Sequence, residues 1–218
     1  MPKSYEKGTS IELQGLFILL PAIAIAITVH EFSHAWMANR LGDPTARLEG
    51  RLTLNPMAHL DPIGTLCLFL AYFGWGRPVP VNTSNFKHPR RDDMFVSICG
   101  PLSNFLTAFL LALLLKLSMR FHLLTPRSYF YDVLRLGLVI NLSLCFFNLI
   151  PIYPLDGSHV LRGLLPRRII PEYDHISSYG PFLLLGLVAM GSIFHVPVLG
   201  NIMGPPIRFF GRLFINIL

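Results

Sequence analysis

The run His30-Glu31-Phe32-Ser33-His34 is the stretch of this sequence best equipped for chemistry. On a helix, residues i and i+4 share a face, so both imidazoles can hold one metal ion while Glu31 reaches a water at that ion. That pattern is the core of a zinc hydrolase. A short motif recurs by accident, and a helical pair of histidines is more often surface decoration, but the setting here is unusual. Residues 16–29, just before it, are apolar enough for a bilayer. Two imidazoles and a carboxylate at the end of such a run cost energy unless a ligand offsets it.

The elements that must position these groups follow from composition. The chain has 218 residues, 52% of them hydrophobic and only 14% charged, with a mean hydropathy of +0.53, which places it outside soluble globular domains and makes it an integral membrane protein. The 18 Lys and Arg against 12 Asp and Glu give a net charge of +6. These cations lie in short loops between apolar segments rather than in one patch, so they read as topology determinants and no nucleic-acid partner is expected. Cys67, Cys99 and Cys145 all fall in apolar segments without C-x-x-C spacing, which indicates neither a disulfide framework nor a zinc ribbon. Lys3 and Lys7 before an apolar stretch with Ala22-Ile23-Ala24 imitate a secretory signal, but cleavage there would detach the helix carrying His30.

The first helix is expected over residues 11–41, loosened near Pro21 and stopped by Gly42-Asp43-Pro44. Residues 63–73 are apolar but only about half the length of a span. They read as a re-entrant element, followed by an extended segment at 77–82 whose Pro78 and Pro80 confine it to an edge. Residues 93–119 form a full span with a small, polar stripe of Ser97, Gly100, Ser103, Asn104, Thr107 and Ala108, suited to close helix packing or to a chemical role for Asn104. A further span at 133–150 ends in a proline-rich turn containing Asp156. A basic loop, an apolar helix at 181–194 and an amphipathic stretch at 207–218, interfacial or a short span, complete the chain. The expected fold is therefore an all-α polytopic membrane protein of one domain, residues 1–218. It is a bundle of about four to six transmembrane helices with a re-entrant element and a short edge strand.

A catalytic zinc takes three protein ligands and leaves a fourth position for water. The third ligand must finish on the membrane face where the first helix ends, which requires an even number of crossings after His34. With residues 63–73 re-entrant, the spans at 93–119 and 133–150 return the chain to that face at Asp156, the best candidate. Arg40, Arg47, Arg51, Arg77, Lys87, Arg90 and Arg91 fall on the same face, so the site is expected to open toward the cytoplasm. His59 and His159 weigh more as ordinary loop histidines than as ligands, although His159 could support Asp156 from behind.

Three segments together, His30–His34, Gly100-Pro101-Leu102-Ser103-Asn104 and the run from Asn148 through Pro151 and Pro154 to Asp156-Gly157, resemble the site-2 protease family of intramembrane zinc metalloproteases. No PDZ or CBS domain is legible, so the likeness is to a compact member. The resemblance implies Zn2+ bound by His30, His34 and Asp156, Glu31 as catalytic carboxylate, and Asn148 holding the substrate or polarising its carbonyl. It also implies that residues 76–82 form a membrane-associated hairpin presenting an edge to an extended substrate. The expected activity is hydrolysis of a peptide bond in or near a transmembrane segment of a membrane-protein substrate. The expected location is a bacterial or archaeal cell membrane. A metal-ion transporter and a catalytically silent scaffold are the rival readings. Glu31 between two histidines argues against the first, and the presence of every expected catalytic residue type argues against the second.

Overall fold

The computed structural model describes residues 6–71, 74–126 and 128–217. Its helices are α1 (Glu6–Arg40), α2 (Thr45–Leu48), α3 (Pro62–Ala71), α4 (Pro89–Arg120), α5 (Tyr129–Asn148), α6 (Asp156–Leu164), α7 (Ile170–Ser177), α8 (Gly180–Ser192) and α9 (Val198–Ile217). Three of them are long and apolar enough to cross a membrane: α1 from Gly15 to Arg40, α4 and α5. Against the four to six expected spans, α8 is apolar but shorter than a bilayer core requires.

Helices α1, α4 and α5 pack on one another as a three-helix core. Small residues make the approach possible. Ala22, Ala26, Ala35 and Ala38 of α1 are buried, as are Ser97, Gly100, Asn104, Ala108 and Ala112 along one stripe of α4. A Cβ on Gly137 of α5 would stand 3.1 Å from Leu111. In a bilayer, where lipid tails are as apolar as leucine, close backbone approach and interhelical hydrogen bonds supply the association. The apolar end of the bundle is filled by Leu111, Leu138 and Leu142, with Phe214 of α9 inserted among them against Phe105 and Phe109.

The C-terminal helix departs from its expected bounds. It runs unbroken through Pro205 and Pro206, starts nine residues before the expected 207, and packs on α4 and α5. Helix α4 likewise begins at Pro89 instead of 93. Proline at the first helical positions loses no needed hydrogen bond, and Asp92 reaches back to accept the His88 N–H at 2.9 Å, a side-chain cap that extends the helix by a turn. Two short amphipathic helices, α6 and α7, occupy the stretch expected as a basic loop.

Helix α3, ten residues long, is too short to span. The chain leaves and returns at one place: Leu60 and Gly76 form an antiparallel bridge, and the Arg77 N–H donates to the His59 carbonyl at 2.8 Å. Tyr72 and Phe73 of the expected re-entrant segment lie outside the described residues. Among the described residues no strand forms, and the expected edge strand at 77–82 is extended backbone. Pro78 and Pro80 have no N–H to offer a ladder, and the N–H of Val79 between them is engaged elsewhere.

Asp43 anchors this loop layer. Its buried carboxylate accepts the Thr45 N–H, the Asn82 N–H at 2.7 Å and the Asn85 amide at 2.7 Å, tying the end of α1 to the segment before α4. Burial pushes the carboxyl up, but these donors outweigh it and hold Asp43 below the usual carboxylate range. With both ends of the 61–75 excursion joined, Glu49→Cys and Lys87→Cys, in a background without the native cysteines, should label from the same side of the membrane. An impermeant maleimide added to one side at a time checks this, and labelling from opposite sides would refute the arrangement.

Candidate metal centre

Helical spacing puts His30 and His34 on one face of α1, with ring centroids 4.5 Å apart, both buried against α4. The roles of their nitrogens follow from what surrounds them. His34 Nδ1 lies 2.8 Å from the Val96 carbonyl, which can only accept. His30 Nδ1 lies 2.7 Å from Asn104 Oδ1. The Asn104 amide nitrogen donates to the Ala26 carbonyl and to Asn141 Oδ1, both at 2.9 Å, and the Asn141 amide nitrogen donates to the Gly137 carbonyl at 2.8 Å. With its nitrogen so placed, Asn104 presents only its oxygen to His30. Both neutral imidazoles therefore carry their proton on Nδ1 and turn a bare Nε2 lone pair inward.

Asp156 arrives from the far end of the chain as the first residue of α6. Gly157 lets the turn close: a Cβ there would lie 2.4 Å from the Leu149 carbonyl oxygen and 2.5 Å from that of Ile150. The Asp156 Oδ2 atom is 3.2 Å from His30 Nε2 and 3.4 Å from His34 Nε2, while the two Nε2 atoms are 3.0 Å apart. In the neutral tautomers just assigned, three acceptors converge with no proton among them, and Oδ2 is buried without a hydrogen-bond partner. Such an arrangement is repulsive unless a cation sits at its centre. Two imidazole nitrogens and one carboxylate oxygen suit zinc, and leave a coordination position open.

Gly100 of α4 forms the wall of the pocket. A Cβ at that position would meet His34 Nε2 at 2.4 Å and His30 Cε1 at 2.6 Å, so any larger residue would fill the space at the donors. Glu31, half-buried and one residue along from His30, accepts the Val79 N–H on Oε2 at 2.9 Å. The extended segment reaches it because Gly76 packs directly on α1, where a Cβ would come within 2.9 Å of Ile27.

The structure thus brings together His30, His34 and Asp156, with Glu31 in the same turn of α1. Asn148, by contrast, ends α5 with its amide nitrogen on the Leu144 carbonyl of its own helix at 3.1 Å. His159 is helical rather than in a loop. It pairs with Asp93 of α4 at 2.9 Å, a bond that raises the imidazole above its ordinary value despite its burial and fastens the Asp156 helix to α4. His59 is fully buried, with Nε2 on the Thr53 carbonyl at 2.8 Å, away from the metal donors. Sequence reasoning missed Asn141, which shares no motif with Asn104 and meets it only across two helices.

Among the described residues, a bundle with three membrane-length helices and a His-His-Asp donor set with a glutamate in the same helical turn fits a membrane-bound metallopeptidase class. Comparison with known proteins agrees. The peptidase family M50 model matches residues 125–188. The chain is 38% identical over 204 residues to the "Putative zinc metalloprotease YwhC" of Bacillus subtilis, covering 90% of this chain and 92% of that one. It is 34% identical over 198 residues to the "Putative zinc metalloprotease Rip2" of Mycobacterium tuberculosis, covering 86% and 70%. It is 27% identical over 163 residues to the "Zinc metalloprotease MJ0392" of Methanocaldococcus jannaschii, covering 74% and 39%. No solved structure matches. The chain belongs to peptidase family M50, the site-2 protease family, and is a zinc-dependent peptidase of the membrane.

If Asn104 fixes the His30 tautomer, Asn104→Ala should weaken zinc binding by about 10- to 100-fold, the usual worth of a partner behind a metal-ligating histidine. Competition with a chromophoric chelator measures it, and an unchanged affinity would remove Asn104 from that role.

Proposed function

We propose that this protein is an intramembrane endopeptidase that hydrolyses a peptide bond within or near a transmembrane segment of a membrane-protein substrate. The observation that carries this reading is the placement of the His30, His34 and Asp156 donors at one end of the candidate span Gly15–Arg40, with Glu31 in the same helical turn. His30, His34 and Asp156 hold the zinc. When bound, zinc polarises the scissile carbonyl and lowers the pKa of water at the site.

Glu31 acts as general base: it removes a proton from the attacking water and later delivers it to the leaving amine. The Val79 amide holds one carboxylate oxygen, Oε2, and leaves Oε1 outside that bond to take up the proton. Asn148, at the mouth of α5, would reach the substrate carbonyl after its bond to Leu144 is exchanged. An apolar cavity of about 450 Å³ between Leu20, Ile23 and Ile27 of α1, Leu144 and Phe147 of α5, and Trp75 supports lateral access for an apolar segment. The substrate must unwind before cleavage, since a helical peptide bond is already hydrogen-bonded and shielded. The clustering of cations at the metal end supports a site that faces the cytoplasm of a bacterial or archaeal cell.

Glu31→Gln keeps the side-chain shape and leaves all three donors in place. Zinc content should be unchanged, while cleavage of a single-span substrate should fall by about 10² to 10⁴, the range for a positioned acid-base group. Mass-spectrometric product mapping beside metal analysis checks both arms. Equal cleavage by the two proteins would end this mechanism. In contrast, Asp156→Ala should lose zinc and cleavage together, and retention of full zinc would remove Asp156 from the ligand set.

A further inference from the structure

At the start of α4, a cavity of about 500 Å³ lies between Lys87, His88, Arg90 and Arg91 on one side and Gly163 and Arg167 on the other. None of its described lining residues is acidic. The four cations differ in what they already do. Arg90 caps the end of α6: its Nε donates to the Arg162 carbonyl at 3.0 Å and its Nη2 to the carbonyls of Gly163, at 2.8 Å, and Leu165. Arg91 is partly balanced by Asp92, whose Oδ1 accepts its Nε and Nη2 at 3.0 and 2.9 Å. Lys87 and Arg167 are exposed and form no ion pair among the described residues. The cavity therefore has two uncommitted cations and one partly compensated guanidinium, and no anion to match them.

The same helix offers an apolar counterpart. Phe95, Ile98, Leu102 and Leu106 follow Arg91 at spacings of three and four, so they line one face of α4, and all four are exposed. The Arg91 guanidinium stands over the Phe95 ring, 5.9 Å from its centroid, where the basic cavity meets the apolar face. Because α4 is a candidate span whose charged first turns precede its apolar run, the cavity lies at the polar end of that span and the apolar face continues from it. A free phosphate would use the cavity alone. A molecule with a phosphate at one end and an acyl chain at the other would use both.

We infer that this cavity and the α4 face below it form a binding site for an anionic phospholipid, with the headgroup phosphate between Lys87, Arg91 and Arg167. Such a lipid joins the start of α4 to the segment that follows α6. Since Arg90 already grips the α6 end, and α6 begins with Asp156, the lipid would steady the helix that supplies the third metal donor.

Native mass spectrometry of the full chain in detergent, titrated with palmitoyl-oleoyl phosphatidylglycerol or with the phosphatidylcholine of identical chains, tests this inference. The expected result is preferential retention of phosphatidylglycerol. It should weaken by about tenfold or more in Lys87→Gln/Arg167→Gln, from the worth of two surface cations near an anionic lipid. Both residues are exposed and outside the catalytic machinery, so zinc content should not change. Lys116→Gln/Arg120→Gln, at the opposite end of α4, should leave the affinity unaltered. Equal retention of the two lipids, an equal loss in both double variants, or displacement of phosphatidylglycerol by millimolar inorganic phosphate would overturn the lipid site.

Discussion

Two Nε2 lone pairs and a buried carboxylate oxygen are held within 3.4 Å of one another, in neutral tautomers that leave no proton between them. The rest of the molecule is arranged around that electrostatic conflict. In water such acceptors would separate or be solvated. Packing keeps the donors from separating, so a proton or a metal cation relieves the conflict, and the protein must hold the donors until the metal binds. The holding is done from behind, by the Val96 carbonyl and by the relay from Gly137 through Asn141 and Asn104 to His30. Asn104 and Asn141 are fully buried and every side-chain nitrogen and oxygen of the pair has a partner, which is what makes the relay rigid rather than costly.

Helix packing serves the same end. The donors can meet only if α1, α4 and α6 approach closely, and glycine and alanine at the contacts allow it. Gly100 leaves the volume at the donors open, and Gly157 lets α6 start directly against the end of α5. The phenylalanine cluster of α9 packs on α4 from Phe105 onward, directly beyond the polar relay at Asn104. Thus one helix, α4, carries both a polar stripe for the metal site and an apolar stripe for packing.

Outside the bundle, the segment between α3 and α4 works through what it lacks. Pro78 and Pro80 cannot donate, so the chain offers Glu31 a single amide, that of Val79, and builds no ladder that would compete for it. Asp43 holds the other end of this segment to α1, so Glu31 sits between two fixed points of the loop layer.

Much of this was legible in the sequence, where the chemistry depends on local spacing. The i, i+4 histidines follow from helical periodicity, the three long spans from apolar length, and the membrane setting from composition. Counting crossings, a global constraint that linear order carries, made Asp156 the best candidate for the third donor, and the fold places it beside both histidines. Tertiary structure alone decided the partners that meet across elements. Asn141 lies 37 residues from Asn104 and is marked by nothing but its type, yet it fixes which way that amide turns. The cap that lengthens α4, the insertion of Phe214 and the capture of the Val79 amide by Glu31 likewise depend on contacts between distant segments. A pattern of residue types records which face of a helix is apolar. It does not record which neighbour that face will meet, because contact is set by the close packing of all the helices at once.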